Sequence, residues 1–340
     1  MSTHVFGAIA THHGIAANNR GDSQGANITP LQKILWHGES HTTVSAEAIR
    51  FALRRSLAAV EPEGTNRYWA ELPDDVDPRC RDLYEGEMKK GKKGKPLNRN
   101  YWKDFEFAAW LKGEGHLYID DDLLGFMNTE AGKEEAEDSG TGDETGGGAR
   151  TRKARGMAVT RRAVLEVTRA VSLTPWEGDV CFNAASIGAT PGAAKKGQDP
   201  VPYGTEMHAT RYQYGFALTP ERLKKPARAK AAIERLCALG TVAGNHGRFL
   251  FDFSPESIVI RITDDPAPRL LYIFEPADGD TVDAPRLLAR AQAGDIKAHE
   301  LIIGGGFAST PTAAELKRLG ASVEAGVRKA ADLAVAKLEG

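Results

Sequence analysis

The sequence predicts an α+β protein built on a split βαβ sheet of the ferredoxin-like (RRM-like) kind, interrupted by two large insertions. Three observations predict it. Strand-like and helix-like patterns succeed one another as strand, helix, strand, strand, helix, strand. Two stretches of shifted composition break that order, one after the first helix and one between the middle strands. With 41% hydrophobic and 26% charged residues over 340 positions, the chain can fill one large or two modest domains.

Residues 4–12 alternate as a strand, with Val5, Gly7 and Ile9 on one face and Phe6, Ala8 and Ala10 on the other. Both faces are apolar, which predicts a central strand. His12 and His13 end it. No further ligands follow at metal-binding spacing, so the histidines are read as structural or surface groups. From Gly14 to Arg55 the chain reads as a strand end, a polar Gly/Asn loop, a short apolar segment and a helix. Ser45 can accept a bond from the free first-turn N–H groups, with Val44 and Ile49 at the positions of a hydrophobic staple. Ile49, Ala52, Leu53, Leu57 and Val60 form the buried stripe. Arg50 and Arg54 border it one turn apart, and Arg55 lies on the other flank. Small polar donors followed by arginines beside an apolar face suit a phosphate backbone. The pattern alone fits a solvated helix flank as well.

From residue 62 to about 129 the chain turns aromatic and charged, with Trp69, Trp102 and Trp110 among prolines at 62, 73, 78 and 96, which predicts an inserted lobe. Within it Glu87–Lys103 is a basic Gly/Pro loop, open to a solvated or a phosphate-contacting reading. Asp120, Asp121 and Asp122 read as a loop of repelling carboxylates, since neighbours on a strand point oppositely. Ala131–Arg155 is low complexity, acidic then basic, and is predicted to be disordered. Arg150, Arg152, Lys153, Arg155, Arg161 and Arg162 bring no acidic residue with them. The net charge of −2 therefore hides local basic patches.

Val164–Leu173 and Thr210–Leu218 read as strands, the second with Tyr212, Tyr214, Phe216 and Leu218 on one face. Thr219 and Pro220 open a helix predicted to run to about Leu239, and Ser257–Thr263 and Arg269–Phe274 read as further strands. Between them Ala185–Ala209 is a Gly/Pro-rich insertion with Lys195 and Lys196 at its centre, long enough to be functional or disordered. A helix from Ala313 to about Leu338 closes the chain, opened by a Thr312/Glu315 capping box and seamed by Leu316, Leu319, Val323 and Val327.

The string NNRGDSQG followed by HTTVSAEAIRFALRR resembles the N-terminal signature of the CRISPR-associated autoregulator (DevR) family. VAGNHGRFLFDFSPESIVIR at Val242–Arg261 and GGGF at Gly304–Phe307 also look like family segments, while the lobe at 62–129 shares only general character. The resemblance implies the guide-RNA-binding backbone subunit of a type I (Cascade) surveillance complex. Implied too is a palm carrying a finger lobe and a thumb hairpin. The corresponding boundaries are palm at 1–61, 156–184 and 210–340, finger lobe at 62–130, linker at 131–155 and thumb at 185–209. The implied RNA contacts are Asn18, Asn19, Arg20, Asp22, Ser45, Arg50, Arg54, Arg55, Arg161, Arg162, Lys195 and Lys196. Its implied partners are the CRISPR guide RNA, a target DNA strand, further copies of itself and other subunits of the complex.

Two function classes compete: a non-catalytic RNA-binding assembly subunit, and a backbone ribonuclease of the type III kind using Asp22. A transcriptional regulator is a weaker third, since no helix-turn-helix pattern supports it. No Walker loop, GxSxG elbow or HExxH pair is present, so ordinary hydrolase and NTPase readings lack an anchor. Cys80, Cys181 and Cys237 show no CxxC spacing, so neither a zinc site nor a disulfide framework is expected, and no cofactor is implied. The N-terminus lacks a signal-peptide pattern and no segment reads as a membrane span, which predicts a cytoplasmic protein with no membrane partner.

Overall fold

The computed structural model describes residues 2–17, 21, 28–69, 102–129, 158–184, 186–188, 202–243, 249–277 and 281–339. The chain divides into two compact units, Met1–Thr65 with Val164–Gly340, and Asn66–Ala163. The larger unit opens with β1 (His4–Thr11), β2 (Gly14–Ala16), β3 (Ile28–Thr29), β4 (Lys33–Trp36), β5 (Glu39–Val44) and α1 (Ala46–Leu57). The smaller unit follows with α2 (Ala108–Leu111), α3 (Ile119–Leu124), β6 (Phe126–Thr129) and β7 (Ala158–Arg161). The larger unit resumes with β8 (Leu165–Val167), β9 (Ala170–Ser172), β10 (Val180–Ala184), β11 (Pro202–Glu206), β12 (His208–Thr210), β13 (Tyr212–Leu218) and α4 (Arg228–Leu236). It closes with β14 (Pro255–Thr263), β15 (Glu275–Ala277), β16 (Thr281–Asp283), α5 (Pro285–Gln292), β17 (Leu301–Gly305), α6 (Pro311–Arg318), β18 (Ser322–Glu324) and α7 (Val327–Glu339).

Helices and strands are thus mixed, around one main sheet ordered β18-β17-β14-β1-β13-β9-β5-β4, with β8 also on β13. At its centre β14, β1, β13 and β8/β9 are antiparallel neighbours, and α1 and α4 occupy the two crossovers between them. β1 is central, as its two apolar faces require. Its Phe6, Ala8 and Ala10 share a core with Val259, Leu270, Phe274, Leu287, Leu301, Phe307 and Leu316. On the other face Gly7 lies opposite Phe216, whose ring is so close that a Cβ on Gly7 would sit 2.0 Å from it. That face carries α7 against β14 and β17, α4 against α7, and α1 against α4.

Several expectations are corrected. Helices cover both faces of the sheet, because α5 and α6 bring Leu287 and Leu316 to the core around Phe6. The closing helix is two helices with β18 between them, since Gly320 turns the chain at φ +112°. The cap of α6 is Thr310, whose hydroxyl oxygen accepts from the Ala313 N–H at 3.2 Å, while the Thr312 hydroxyl donates to Asp283. Leu319 of the predicted seam is exposed. Arg269–Phe274 is no strand: Arg269 and Tyr272 sit at positive φ, so its Leu270, Ile273 and Phe274 reach the core from a folded loop. The helix after Thr219 starts late, with a short 3-10 turn over Pro220–Arg222 and the α-helix only from Arg228. Val164–Leu173 is split into β8 and β9.

In the smaller unit β6 and β7 pair antiparallel, so Ala158–Arg161 belongs here rather than with the palm segment that follows it. Phe107 stacks on Phe126 with centroids 3.8 Å apart, and the Arg161 guanidinium lies 4.1 Å over the Trp110 ring. The three aspartates are no exposed loop but the buried first turn of α3. Helical geometry turns consecutive side chains apart, and each carboxylate finds its own donor. Asp120 accepts from the Asn66 backbone N–H (2.8 Å), Asp121 from the Asn66 side-chain amide (2.9 Å), and Asp122 pairs with Arg161 (2.6 Å).

Candidate nucleic-acid interface

β5 delivers the chain to Ser45, whose hydroxyl oxygen accepts from the Ala48 N–H at 3.2 Å and caps α1. Ser45 is therefore committed to the helix start. Val44, Ile49, Leu53 and Leu57 are fully buried, and α1 ends at Leu57, leaving Val60 past the last turn. This stripe fixes the helix rotation and so aims its arginines: Arg50 and Arg54 half-buried on one side, Arg55 exposed on the other. Burial, and next the nearby Arg54 cation, lower the Arg50 pKa from its ordinary value; Glu47 and Glu166 oppose them. Two guanidiniums so close repel each other, and an anion shared between them relieves that repulsion.

Within the same unit a hairpin, β10 with β11, runs antiparallel from Val180↔Glu206 to Ala184↔Pro202 and takes β3 on its other edge. Gly204 lies beside Ile28, where a Cβ would approach Ile28 Cγ1 to 2.8 Å. The outer strand exposes Val180 and Phe182, the latter at 76%. Glu206 anchors the returning strand. It accepts from the Leu31 N–H (2.7 Å) and pairs with Lys33, whose ammonium lies 3.7 Å over the Trp176 ring. The hairpin thus begins before the insertion predicted at 185–209, with β10 ahead of that stretch and β11 inside it.

Of the sequence-predicted contacts, Arg50 and Arg54 share one side of α1, Arg55 lies on the other side and Ser45 caps its start. Asn18, Asn19, Arg20, Asp22, Lys195 and Lys196 lie outside the described residues. Arg161 pairs with Asp122 and lies over the Trp110 ring, and Arg162 is exposed in the smaller unit. Sequence reasoning missed the polar cluster of Thr42, His208 and Tyr212 under the hairpin. Thr42 and His208 are 166 residues apart, so no local pattern announces it. Among the described residues no helix is long and apolar enough to cross a membrane.

Fold and site together define a mixed helix-and-sheet protein with an arginine-bearing helix and a projecting hairpin. The profile of the CRISPR-associated negative auto-regulator DevR/Csa2 family matches residues 9–280, and the chain belongs to that family. A CRISPR-associated protein Cas7/Cst2/DevR of Myxococcus xanthus (strain DK1622) is 52% identical over 342 residues, covering 100% of this chain and 99% of that one. Among solved structures, a chain of a pre-nicking CRISPR RNA-guided surveillance complex overlays with a TM-score of 0.53 at 13% identity, covering 98% of this chain and 100% of that chain.

Proposed function

We propose that this chain is a non-catalytic backbone subunit that polymerises along CRISPR RNA in a type I (Cascade) complex and presents the guide for pairing with a target DNA strand. The family membership and the M. xanthus relative's identity as a CRISPR-associated protein support the setting. The strand order β14-β1-β13-β8/β9 with α1 and α4 as crossovers supports reading the larger unit as a ferredoxin-like, RRM-like palm, with the smaller unit as its finger lobe and β10–β11 as its thumb. The observation that carries the proposal is the Arg50–Arg54 pair, held at a fixed rotation by the capped helix and close enough that the Arg54 cation helps lower the Arg50 pKa. Such a pair suits successive phosphates of one strand. The palm has no RNP aromatic octapeptide in its sequence, so contacts to the backbone dominate over base reading. The partners proposed are the guide, target DNA, copies of this chain and other subunits, in the cytoplasm.

The test is charge reversal at Arg50 and Arg54. Each lost phosphate contact lowers the salt slope of single-strand binding by roughly 0.7, with similar weakening across sequences. Affinity and salt slope both unchanged in Arg50→Glu/Arg54→Glu would sink the assignment.

A further inference from the structure

Two legs join the hairpin β10–β11 to the main sheet: residues 173–179 going out and residues 207–211 coming back, the second including β12, which pairs with β2. Beyond the legs, the described residues hold it through Glu206, which meets the Leu31 N–H and Lys33. The hairpin's only described strand neighbour, β3, is two residues long, and a lone two-stranded ribbon is marginal in water. Direction must be set where the legs meet the sheet.

Three bonds tie the legs to each other. Met207 N–H donates to Asp179 O (3.1 Å), Trp176 Nε1–H to Met207 O (3.0 Å), and His208 Nε2 lies 3.1 Å from Pro175 O. On its other side the His208 ring places Nδ1 2.7 Å from Thr42 Oγ1, which in turn is 3.0 Å from the Tyr212 hydroxyl. Thr174 Oγ1, 3.3 Å from Nε2 and 2.8 Å from Thr210 Oγ1, closes the ring's surroundings. The proton positions follow from the one group that can only accept. The Pro175 carbonyl requires a hydrogen on Nε2, so Nδ1 accepts from Thr42, and Thr42 oxygen accepts from Tyr212. Tyr212 and Thr42 are fully buried and His208 is 5% exposed, so no water competes freely for these bonds.

We infer that His208 is a positioning residue: as a neutral imidazole it straps the hairpin's outgoing leg to its returning leg and ties both to β5 and β13, so that the hairpin leaves the sheet in one direction. The relay Tyr212–Thr42–His208–Pro175 is complete for one tautomer and no other. Burial, against the bond to Pro175, also lowers the His208 pKa to about 4, with His41 and His13 lowering it and Asp179 raising it. The inference rests on the reading of β10–β11 as an arm used on RNA, but its structural half can be tested without RNA.

Two amides separate the two halves of the relay in the full-length chain. H208Q keeps a donor in place of Nε2 and loses the Thr42 contact; H208N keeps an acceptor in place of Nδ1 and loses the strap to Pro175. Amide hydrogen exchange of the RNA-free protein is measured for both, followed by electron microscopy of arrays formed on a long unstructured pyrimidine-rich RNA. In H208N the amides of β10 and β11 should exchange about tenfold faster or more while those of β1, β13 and β14 keep their rates. H208Q should stay within about twofold of wild type, and only H208N should give shortened arrays. Unchanged hairpin exchange in H208N, or exchange rising equally in hairpin and central strands, overturns the inference. Loosened hairpins with arrays of wild-type length uphold the strap and reject instead the arm's role on RNA.

Discussion

Arg261 sits on β14 at 2% exposure, a charge placed where the sheet should tolerate only apolar groups. It survives there because every face of the guanidinium is used: Nε donates to Glu300 (2.7 Å), Nη1 to Ala267 O (2.9 Å) and Nη2 to Asp265 (3.2 Å). Removing one partner leaves the other buried and unpaired, which costs more than the pair itself contributes. Arg261→Ala should destabilise by about 3–5 kcal/mol in chemical melts, whereas Arg261→Met combined with Glu300→Leu should recover most of that loss. Ser45→Ala, which removes one cap bond at a partly exposed site, should cost only about 1 kcal/mol. His208 sets a pH dependence. Its folded pKa, about 4, lies below the ordinary 6.5, so the unfolded chain takes up a proton that the folded one refuses. Stability should therefore be full above pH 6.5 and fall as pH drops through 6.5 toward 4, and H208N should flatten that part of the profile.

At the level of elements, the hairpin is more than the loop its composition suggests. Glu206 and His208 lie within the stretch 185–209, and both are wired into the larger unit through Leu31, Lys33, Thr42 and Pro175. Deleting the whole stretch would strip those anchors. Replacing only 185–201 with a short Gly linker spares them, and loop shortening changes closure entropy little. That variant should melt cooperatively near the wild-type midpoint yet fail to form regular arrays on RNA; full-length arrays in electron micrographs would reject the arm's role in assembly. What the sequence made legible was whatever is encoded within one turn or one strand. β1 and α1 follow from alternation, a cap and a stripe that nothing distant overrides. The stretch at Arg269–Phe274 misled because its apolar residues are truly core, while positive φ at Arg269 and Tyr272 folds the backbone out of extension. The break between α6 and α7 escaped because Gly320 and Gly326 interrupt a periodicity that otherwise continues. The Arg50–Arg54 pair was readable from spacing, but the commitment of Arg161 to Asp122 across 39 residues was not.

For the molecule as a whole, the proposed RNA-holding role has one rival, a subunit that also cuts RNA. Metal-assisted phosphodiester cleavage needs convergent carboxylates, or one carboxylate with a positioned base. Between β2 and β3, outside the described residues, the sequence offers a lone Asp22 beside Arg20. A single carboxylate at that spacing supplies neither arrangement, which favours a role in local structure over one in chemistry. The chain is nearly neutral in sum, at −2, but its basic residues gather in α1 and in the stretch from Arg150 to Arg162, a distribution that fits the proposed holding role. A subunit repeated along one guide would gain its affinity from many such modest contacts, and holding the strand in this way calls for no cleavage chemistry. The guide-loaded complex, incubated with complementary RNA and magnesium or manganese, should therefore leave that RNA intact. Asp22→Ala should change nothing in that assay and reduce assembly on the guide only modestly. Regularly spaced cuts that require the metal and vanish in Asp22→Ala would replace the holding subunit by a ribonuclease, and would make the stretch around Asp22, not the Arg50–Arg54 pair, the centre of its chemistry.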